Sequence, residues 1–209
     1  QLDEAAALLR RSLARRPMQP HVQNNLGSIL YAQRRLDDAV TAFRAATKLK
    51  PNYAEAHHNL ALALHAVANY ADAEKSARAA LRYQPNYILA AQTLAAILNE
   101  VERPKEAEQI LRNALALGSR NPRQVAALQH NLALALKQQR RFDEALPLFD
   151  MAQSVVPDMP AVDYNRGNTL QLLGRLDDAV LSYRRALAAN PLDTMAHDAL
   201  NQLLYRLGR

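Results

Sequence analysis

The chain has 209 residues, 49% of them hydrophobic, 22% charged and 5% aromatic, with 5 glycines. It is too apolar for a disordered chain and too poor in glycine and aromatic residues for a β-sandwich or propeller. The absence of cysteine excludes disulfides and thiolate metal sites but leaves the compartment open, and a net charge of +6 has meaning only once it is placed on the fold. No apolar run is long enough to span a bilayer, and no signal-peptide pattern is present. The chain opens on Gln1, not Met, inside a stretch that reads as a helix. It is therefore expected to be a piece of a larger protein, with a cytoplasmic location.

One phrase returns along the chain. Asn24–Asn25–Leu26–Gly27 is followed by His58–Asn59–Leu60–Ala61, then His130–Asn131–Leu132–Ala133, then Tyr164–Asn165–Arg166–Gly167. Pro17, Pro51 and Pro85 stand 34 apart, as do Pro157 and Pro191, and the 72 residues between Pro85 and Pro157 make two periods plus four. Ala5, Ala39, Ala73, Ala107, Ala145 and Ala179 keep the same phase, and Leu9, Phe43, Ala77, Leu111, Phe149 and Tyr183 follow four residues later. Self-similarity at such a period marks a stacked array without a single central core.

Two amphipathic helices fit each period. Leu26 with Leu30 and Leu60 with Leu64 form an i, i+4 apolar stripe in the first helix. A polar turn such as Gln33–Arg34–Arg35 follows. Asp37 or Asp177 then stands where an N-cap is expected, and the second helix runs to the proline that stops it. The boundaries are the second helix of a truncated repeat (1–19), repeats at 20–53, 54–87, 88–125, 126–159 and 160–193, and a terminal helix (194–209) that is a cap or a cut repeat. The four extra residues fall around Gly118–Arg123, rich in turn formers, which is expected to be the softest joint. Pro147, near the start of its helix, predicts a local distortion without a break.

A 34-residue helix–turn–helix carrying Leu-Gly or Leu-Ala, then Ala-x3-Phe, then Pro resembles the tetratricopeptide repeat (TPR) family over essentially the whole chain. The resemblance implies an all-α fold, a right-handed α-solenoid superhelix of antiparallel helix pairs whose first helices line a concave groove. The usual Trp is replaced by Gln23, His57, Ala91, Gln129 and Asp163, the usual Tyr by leucine, and the Leu of the fifth repeat by Arg166.

Under that resemblance the Asn before each Leu points into the groove: Asn25, Asn59, Asn131 and Asn165, with Thr93 as the exception. A carboxamide offers an acceptor and two donors, so a row of them can hold the backbone of an extended peptide. In this the chain is similar to the repeat region of the O-linked N-acetylglucosamine transferases. The competing reading is that these asparagines satisfy backbone groups within the array. Tyr31, His58, His65, His130, Tyr164 and Asn168 join the candidate peptide-binding residues, and the groove charges Glu55, Glu100, Lys137 and Arg206 roughly cancel. A neutral groove argues against clamping a terminal carboxylate and predicts binding that depends little on salt. Replacing Asn59 and Asn131 by Ala together is expected to weaken peptide binding about tenfold and leave the thermal midpoint unchanged.

His58 and His65, seven apart on one helix, lie about 10 Å apart, too far to share an ion, so no metal site is expected. His57 occupies the Trp slot and is expected to pack between helices. No G-x-G-x-x-G, phosphate loop, H-E-x-x-H or G-x-S-x-G is present, so neither catalysis nor a cofactor is expected. The basic residues, among them Arg10, Arg11, Arg15, Arg16, Arg35, Arg44, Lys75, Arg78, Arg141, Arg184 and Arg185, fall on second helices and turns. That leaves three readings: a protein- or peptide-binding groove, a scaffold acting through its convex or edge surfaces, and RNA or anionic-surface binding through the basic edge. The first is favoured and nucleic acid disfavoured, because the groove lacks the basic lining that phosphates require. The partner's identity and the oligomeric state stay open.

Overall fold

The computed structural model describes residues 2–157 and 159–209. Gln1, expected inside the first helix, and Asp158, in the stretch expected to close the fourth repeat, lie outside the described residues. Among those described are twelve α-helices and no strand, an all-α array of helix pairs. They are α1 (Leu2–Arg15), α2 (Pro20–Ala32), α3 (Leu36–Leu49), α4 (Ala54–Ala66), α5 (Tyr70–Tyr83), α6 (Ile88–Glu100), α7 (Pro104–Leu117), α8 (Pro122–Gln138), α9 (Phe142–Val155), α10 (Pro160–Leu172), α11 (Leu176–Ala189) and α12 (Thr194–Arg206). None of them is long and apolar enough to cross a membrane.

The helices fall into two compact units, residues 1–102 with α1–α6 and residues 103–209 with α7–α12. In the first unit α2 pairs with α3 and α4 with α5, while α2 touches α4 and α4 touches α6. In the second, α8 pairs with α9 and α10 with α11, and α8 touches α10. Within each unit, first helices therefore touch one another as well as their partners.

Small residues set the spacing. Ala39, Ala73, Ala107, Ala145 and Ala179 are wholly buried, and four residues on Phe43, Ala77, Leu111, Phe149 and Tyr183 are buried as well. Ala5 and Leu9 of α1 keep the phase but are only half-buried. A Cβ on Gly27 would stand 2.6 Å from Phe43 Cε1, and one on Gly167 would stand 2.6 Å from Tyr183 Cε1. At those two places glycine lets an aromatic ring lie flush on the first helix.

The turn inside each pair has a fixed form. Arg34, Ala68, Glu102, Arg140 and Gly174 all adopt positive φ, between 58° and 76°. The next residue's N–H reaches back to the first helix, Arg35 to the Leu30 carbonyl, Asn69 to Leu64, Arg141 to Leu136 and Arg175 to Leu170. This is a Schellman closure of the first helix, usually given to glycine.

Two expectations from the sequence are corrected. Asp37 and Asp177 do not cap their helices: the N-caps are Arg35 and Arg175, and the aspartates lie inside the first turn. The guanidinium instead pairs three residues ahead, Arg35 with Asp38, Arg141 with Glu144 and Arg175 with Asp178, so the acids serve the N-terminal dipole and an exposed ion pair. The four extra residues, in turn, form no longer loop. The Gly118–Asn121 linker has the length of Lys50–Tyr53, and α8 has 17 residues where α2, α4, α6, α10 and α12 have 13. They make an added helical turn, opened by Pro122 at the first helical position with Asn121 accepting from the Arg123 N–H.

Helix α9 runs unbroken through Pro147, which lies on its exposed face. Arg166, in place of the expected Leu, donates Nε to Asp150 at 2.6 Å and Nη1 to the Ser182 hydroxyl at 2.6 Å, which tethers α10 to α9 and α11. The apolar side of α12 is covered: Leu200 and Leu203 are buried in a cluster with Leu170, Ala179, Val180 and Tyr183. Burying such a leucine stabilises by roughly 1.5–3 kcal/mol.

Candidate functional site

The candidate residues all lie on first helices, where successive first helices meet. In the first unit Asn59 is half-buried, and its Nδ2 donates to Asn24 Oδ1 at 3.0 Å. Asn24, only 1% exposed, donates in turn to Glu55 Oε1 at 3.2 Å and to the Tyr53 hydroxyl at 3.4 Å, and His21 Nδ1 lies 3.0 Å from the same hydroxyl. Asn25 points its carboxamide to solvent with no side-chain hydrogen bond among the described residues. Tyr31 and His65 are half-buried, the His65 ring 5.6 Å from that of Tyr70. The row is thus one bonded rung and one open one.

His58 is buried, its ring edge-on to Tyr87 at 5.1 Å, and its Nδ1 has no partner among the described residues. Burial pushes its imidazole down to about 4, so the ring is neutral at pH 7. Gln92 holds the equivalent place on α6, and its Nε2 is likewise buried without a partner. Burial, and next the nearby Glu55 carboxylate, push the Tyr87 and Tyr53 phenols up.

The second unit repeats the arrangement with a lysine added. Asn165 Oδ1 accepts from Lys137 Nζ at 3.1 Å, while its Nδ2 donates to the Ala161 carbonyl at 2.9 Å and lies 3.4 Å from His130 Nε2. His130 is buried edge-on to Phe149, and burial, reinforced by Lys137, brings it to about 4. Burial also lowers Lys137. Asn131, half-buried, has no side-chain hydrogen bond among the described residues. Asn168 Oδ1 accepts from the buried Tyr183 hydroxyl at 2.7 Å, and Tyr164 stands 6.0 Å from the Tyr183 ring. Asn168 therefore also supports the packing of α11 on α10.

His57 fills the Trp slot as expected, its Nε2 2.8 Å from the Pro51 carbonyl and its ring stacked on Tyr83. Among the described residues no three His, Asp or Glu side chains gather as metal ligands. The sequence reading passed over Asn24, His21, Tyr53 and Tyr87. One signal was present: Tyr53 and Tyr87 stand 34 apart, each immediately before a first helix.

The repeating geometry has counterparts. A TPR repeat family model matches residues 27–67, and tetratricopeptide repeat models match 54–87, 87–157 and 130–194. A curated relative, the TPR repeat-containing thioredoxin TTL4 of Arabidopsis thaliana, is 40% identical over 67 residues, 32% of this chain. The chain spans about a tenth of that protein's length. Among solved structures, a chain of the APC/C hetero-tetramer aligns at a TM-score of 0.82 with 18% identity, over 97% of this chain and 40% of that one. A thermophilic TPR protein of Thermus thermophilus aligns at 0.72 with 23% identity, over 90% of this chain and 100% of that one. YrrB, described as a TPR protein with an unusual peptide-binding site, aligns at 0.68 with 20% identity, over 93% and 98%. At such identities these structures share the fold. TPR proteins generally act as protein-interaction scaffolds, and the fold is typically non-catalytic. With repeat models running end to end from residue 27 to 194 on these paired helices, the chain belongs to the tetratricopeptide repeat proteins.

Proposed function

We propose that the first helices of each unit hold an extended peptide segment of a partner protein, through Asn25, Tyr31, His58, Asn59 and His65 in the first unit and through His130, Asn131, Tyr164, Asn165 and Asn168 in the second. The observation that carries this reading is where unsatisfied polarity sits. His58 Nδ1 and Gln92 Nε2, at equivalent places on the first helices α4 and α6, are buried without partners among the described residues. A buried polar atom without a partner costs about 1–3 kcal/mol, a debt that a bound backbone or a bridging water removes. The open carboxamides of Asn25 and Asn131 add two places where a peptide N–H and C=O can pair. Asn59 and Asn165 are held in place by neighbouring first helices, so they meet a ligand already oriented. On this reading the row of asparagines would act as the resemblance to the repeat region of the O-linked N-acetylglucosamine transferases implies.

A second reading has its own observation. Arg10, Arg11, Arg15 and Arg16 at α1 have no carboxylate partner among the described residues, and Arg11, Arg15 and Arg16 line a concavity with Leu8, Ser12 and Gln19. Several basic side chains elsewhere are paired, among them Arg35 with Asp38, Arg44 with Asp72 and Arg141 with Glu108. Free arginines on one helix suit phosphates, and hence single-stranded RNA or an anionic surface.

Fluorescence anisotropy with short labelled peptide pools and a labelled single-stranded RNA tests both. The peptide reading expects micromolar binding of peptides that Asn131→Ala weakens. Peptides that do not bind, beside RNA that binds until Arg11→Ala and Arg15→Ala remove it, would overturn it in favour of the second.

A further inference from the structure

Helices α2, α4 and α6 of the first unit contain no Lys or Arg; their only charged side chains besides histidine are Glu55 and Glu100. In a chain of net charge +6 this face is acidic. Glu55 is exposed and fixed by the Asn24 amide, and its field reaches the phenols of both Tyr53 and Tyr87.

Those two tyrosines occupy equivalent places, yet their surroundings differ in one respect. The Tyr53 ring is covered by Lys50 Nζ, 4.9 Å from its centroid. The residue equivalent to Lys50 in the next repeat, 34 positions on, is Gln84. Among the described residues Tyr87 therefore lacks the cation that its twin receives from within the chain, while retaining the same carboxylate nearby. Beside it stands His58, more than nine-tenths buried, edge-on to the Tyr87 ring and with Nδ1 unpartnered among the described residues.

Resting on the peptide-binding reading above, we propose that Tyr87, Glu55 and His58 form a socket for one arginine or lysine side chain of the bound segment. The cation lies on the Tyr87 ring as Lys50 lies on Tyr53, with its charge against the Glu55 carboxylate. A neutral imidazole with an unpartnered Nδ1 accepts one of its N–H groups. Arginine suits the socket better than lysine, because its planar fork stacks on a ring and still donates at its edge. Among the described residues the second unit's first helices carry Arg123, Lys137, Arg166 and Arg206, and no tyrosine caps α8, α10 or α12 as Tyr87 caps α6.

The test uses the 209-residue chain and fluorescein-labelled peptide pools whose central residue is arginine, citrulline or glutamate, with flanking positions drawn from uncharged residues. Citrulline keeps arginine's shape and removes its charge. The wild-type chain is expected to bind the arginine pool about 10-fold more tightly than the citrulline pool. Glu55→Gln and Tyr87→Leu should each bring that ratio to about 1, with circular dichroism showing that each variant is folded. Gln84→Lys should also abolish the preference, because it supplies the missing cation from within the chain. Equal binding of arginine and citrulline pools by the wild-type chain overturns the socket and leaves the peptide reading standing. Failure of every pool to bind overturns both. Preference retained in folded Glu55→Gln, or in Gln84→Lys, refutes the assignment.

Discussion

Asn59 and Asn131 occupy the same place in two repeats, yet replacing them by alanine should have different consequences. Asn59 Nδ2 donates to Asn24 Oδ1 at 3.0 Å, and Asn24 is 1% exposed. Asn59→Ala removes a neutral hydrogen bond, about 1 kcal/mol net, and leaves a buried acceptor without its donor, a further roughly 1 kcal/mol. Asn131 has no side-chain hydrogen bond among the described residues, so Asn131→Ala loses nothing in the fold. It gains about 0.5 kcal/mol of helix propensity in the interior of α8. Asn59→Ala gains the same propensity inside α4, a net loss of about 1.5 kcal/mol, so at about 2–4 °C per kcal/mol for a chain of this size it should melt roughly 3–6 °C early, with Asn131→Ala unchanged or slightly later. The double variant is thus not thermally silent as the sequence alone implies; Asn131→Ala is the clean probe of binding. If its carboxamide pairs with a peptide backbone at about 1 kcal/mol, affinity should fall about 5-fold. Circular dichroism melts and anisotropy with an uncharged peptide pool read both quantities. An Asn131→Ala variant that melts well below wild type refutes the structural assignment, and one that folds and binds undiminished refutes the asparagine reading of the site.

Two further predictions rest on the backbone and on burial. Gly174 has φ +76° and open space where a Cβ would stand, so Gly174→Ala should cost about 1 kcal/mol from backbone strain alone; Arg34→Gly, at φ 62°, should be neutral to stabilising by up to about 1 kcal/mol. Urea denaturation checks the pair, and a stabilising Gly174→Ala would refute the account. His58 and His130 are held neutral down to about 4, whereas the unfolded chain takes up these protons near 6.5. The unfolded state therefore binds more protons between those values, and stability should fall as pH drops from about 6.5 to about 4, by up to about 3 kcal/mol per histidine. Asp163, raised by burial, acts in the opposite sense. Thermal midpoints that stay flat between about pH 7 and pH 4.5, with both histidines titrating normally by NMR, would refute this.

The architecture was legible because the period fixes it. Ala39, Ala73, Ala107, Ala145 and Ala179 recur at one phase and are all wholly buried, and the prolines mark where second helices stop. Local chemistry was less legible. Asp37 has the right residue type for an N-cap but sits two residues too far in, and helix starts are fixed by where the previous turn closes, here the positive-φ residue at Arg34. The Gly118–Arg123 stretch reads as a loop by composition, yet Pro122 suits a first helical position equally well, and the extra residues became helix. The repeated Asn drew attention to itself, while its partner Asn24 has equivalents of other residue types, His58, Gln92 and His130, and so shows no recurrence. Tyr87 lies in a linker, outside the helical phase from which the groove was read.

Charge decides between the two functional readings, because the two candidate surfaces differ in how many ions a ligand must displace. At α1, Arg10, Arg11, Arg15 and the following Arg16 have no carboxylate partner among the described residues, so a single-stranded nucleic acid engaging all four would release about 0.7 counterions per contact, roughly 3 in total. Raising salt from about 50 to about 200 mM should then weaken it roughly 50-fold. On α2, α4 and α6 the charges available to a ligand are Glu55 and Glu100, and an arginine in the Tyr87 socket makes at most one close ion pair. The same salt step should weaken an arginine peptide by roughly threefold at most, and leave a citrulline peptide almost untouched. The near-neutral groove expected from the sequence would make all peptides alike in this respect, so the difference between arginine and citrulline is the discriminating quantity. Titration of both peptides and the RNA at the two salt concentrations supplies it. An arginine peptide that loses affinity as steeply as the RNA would be binding somewhere other than the first helices, and the assignment of function to that face would fail.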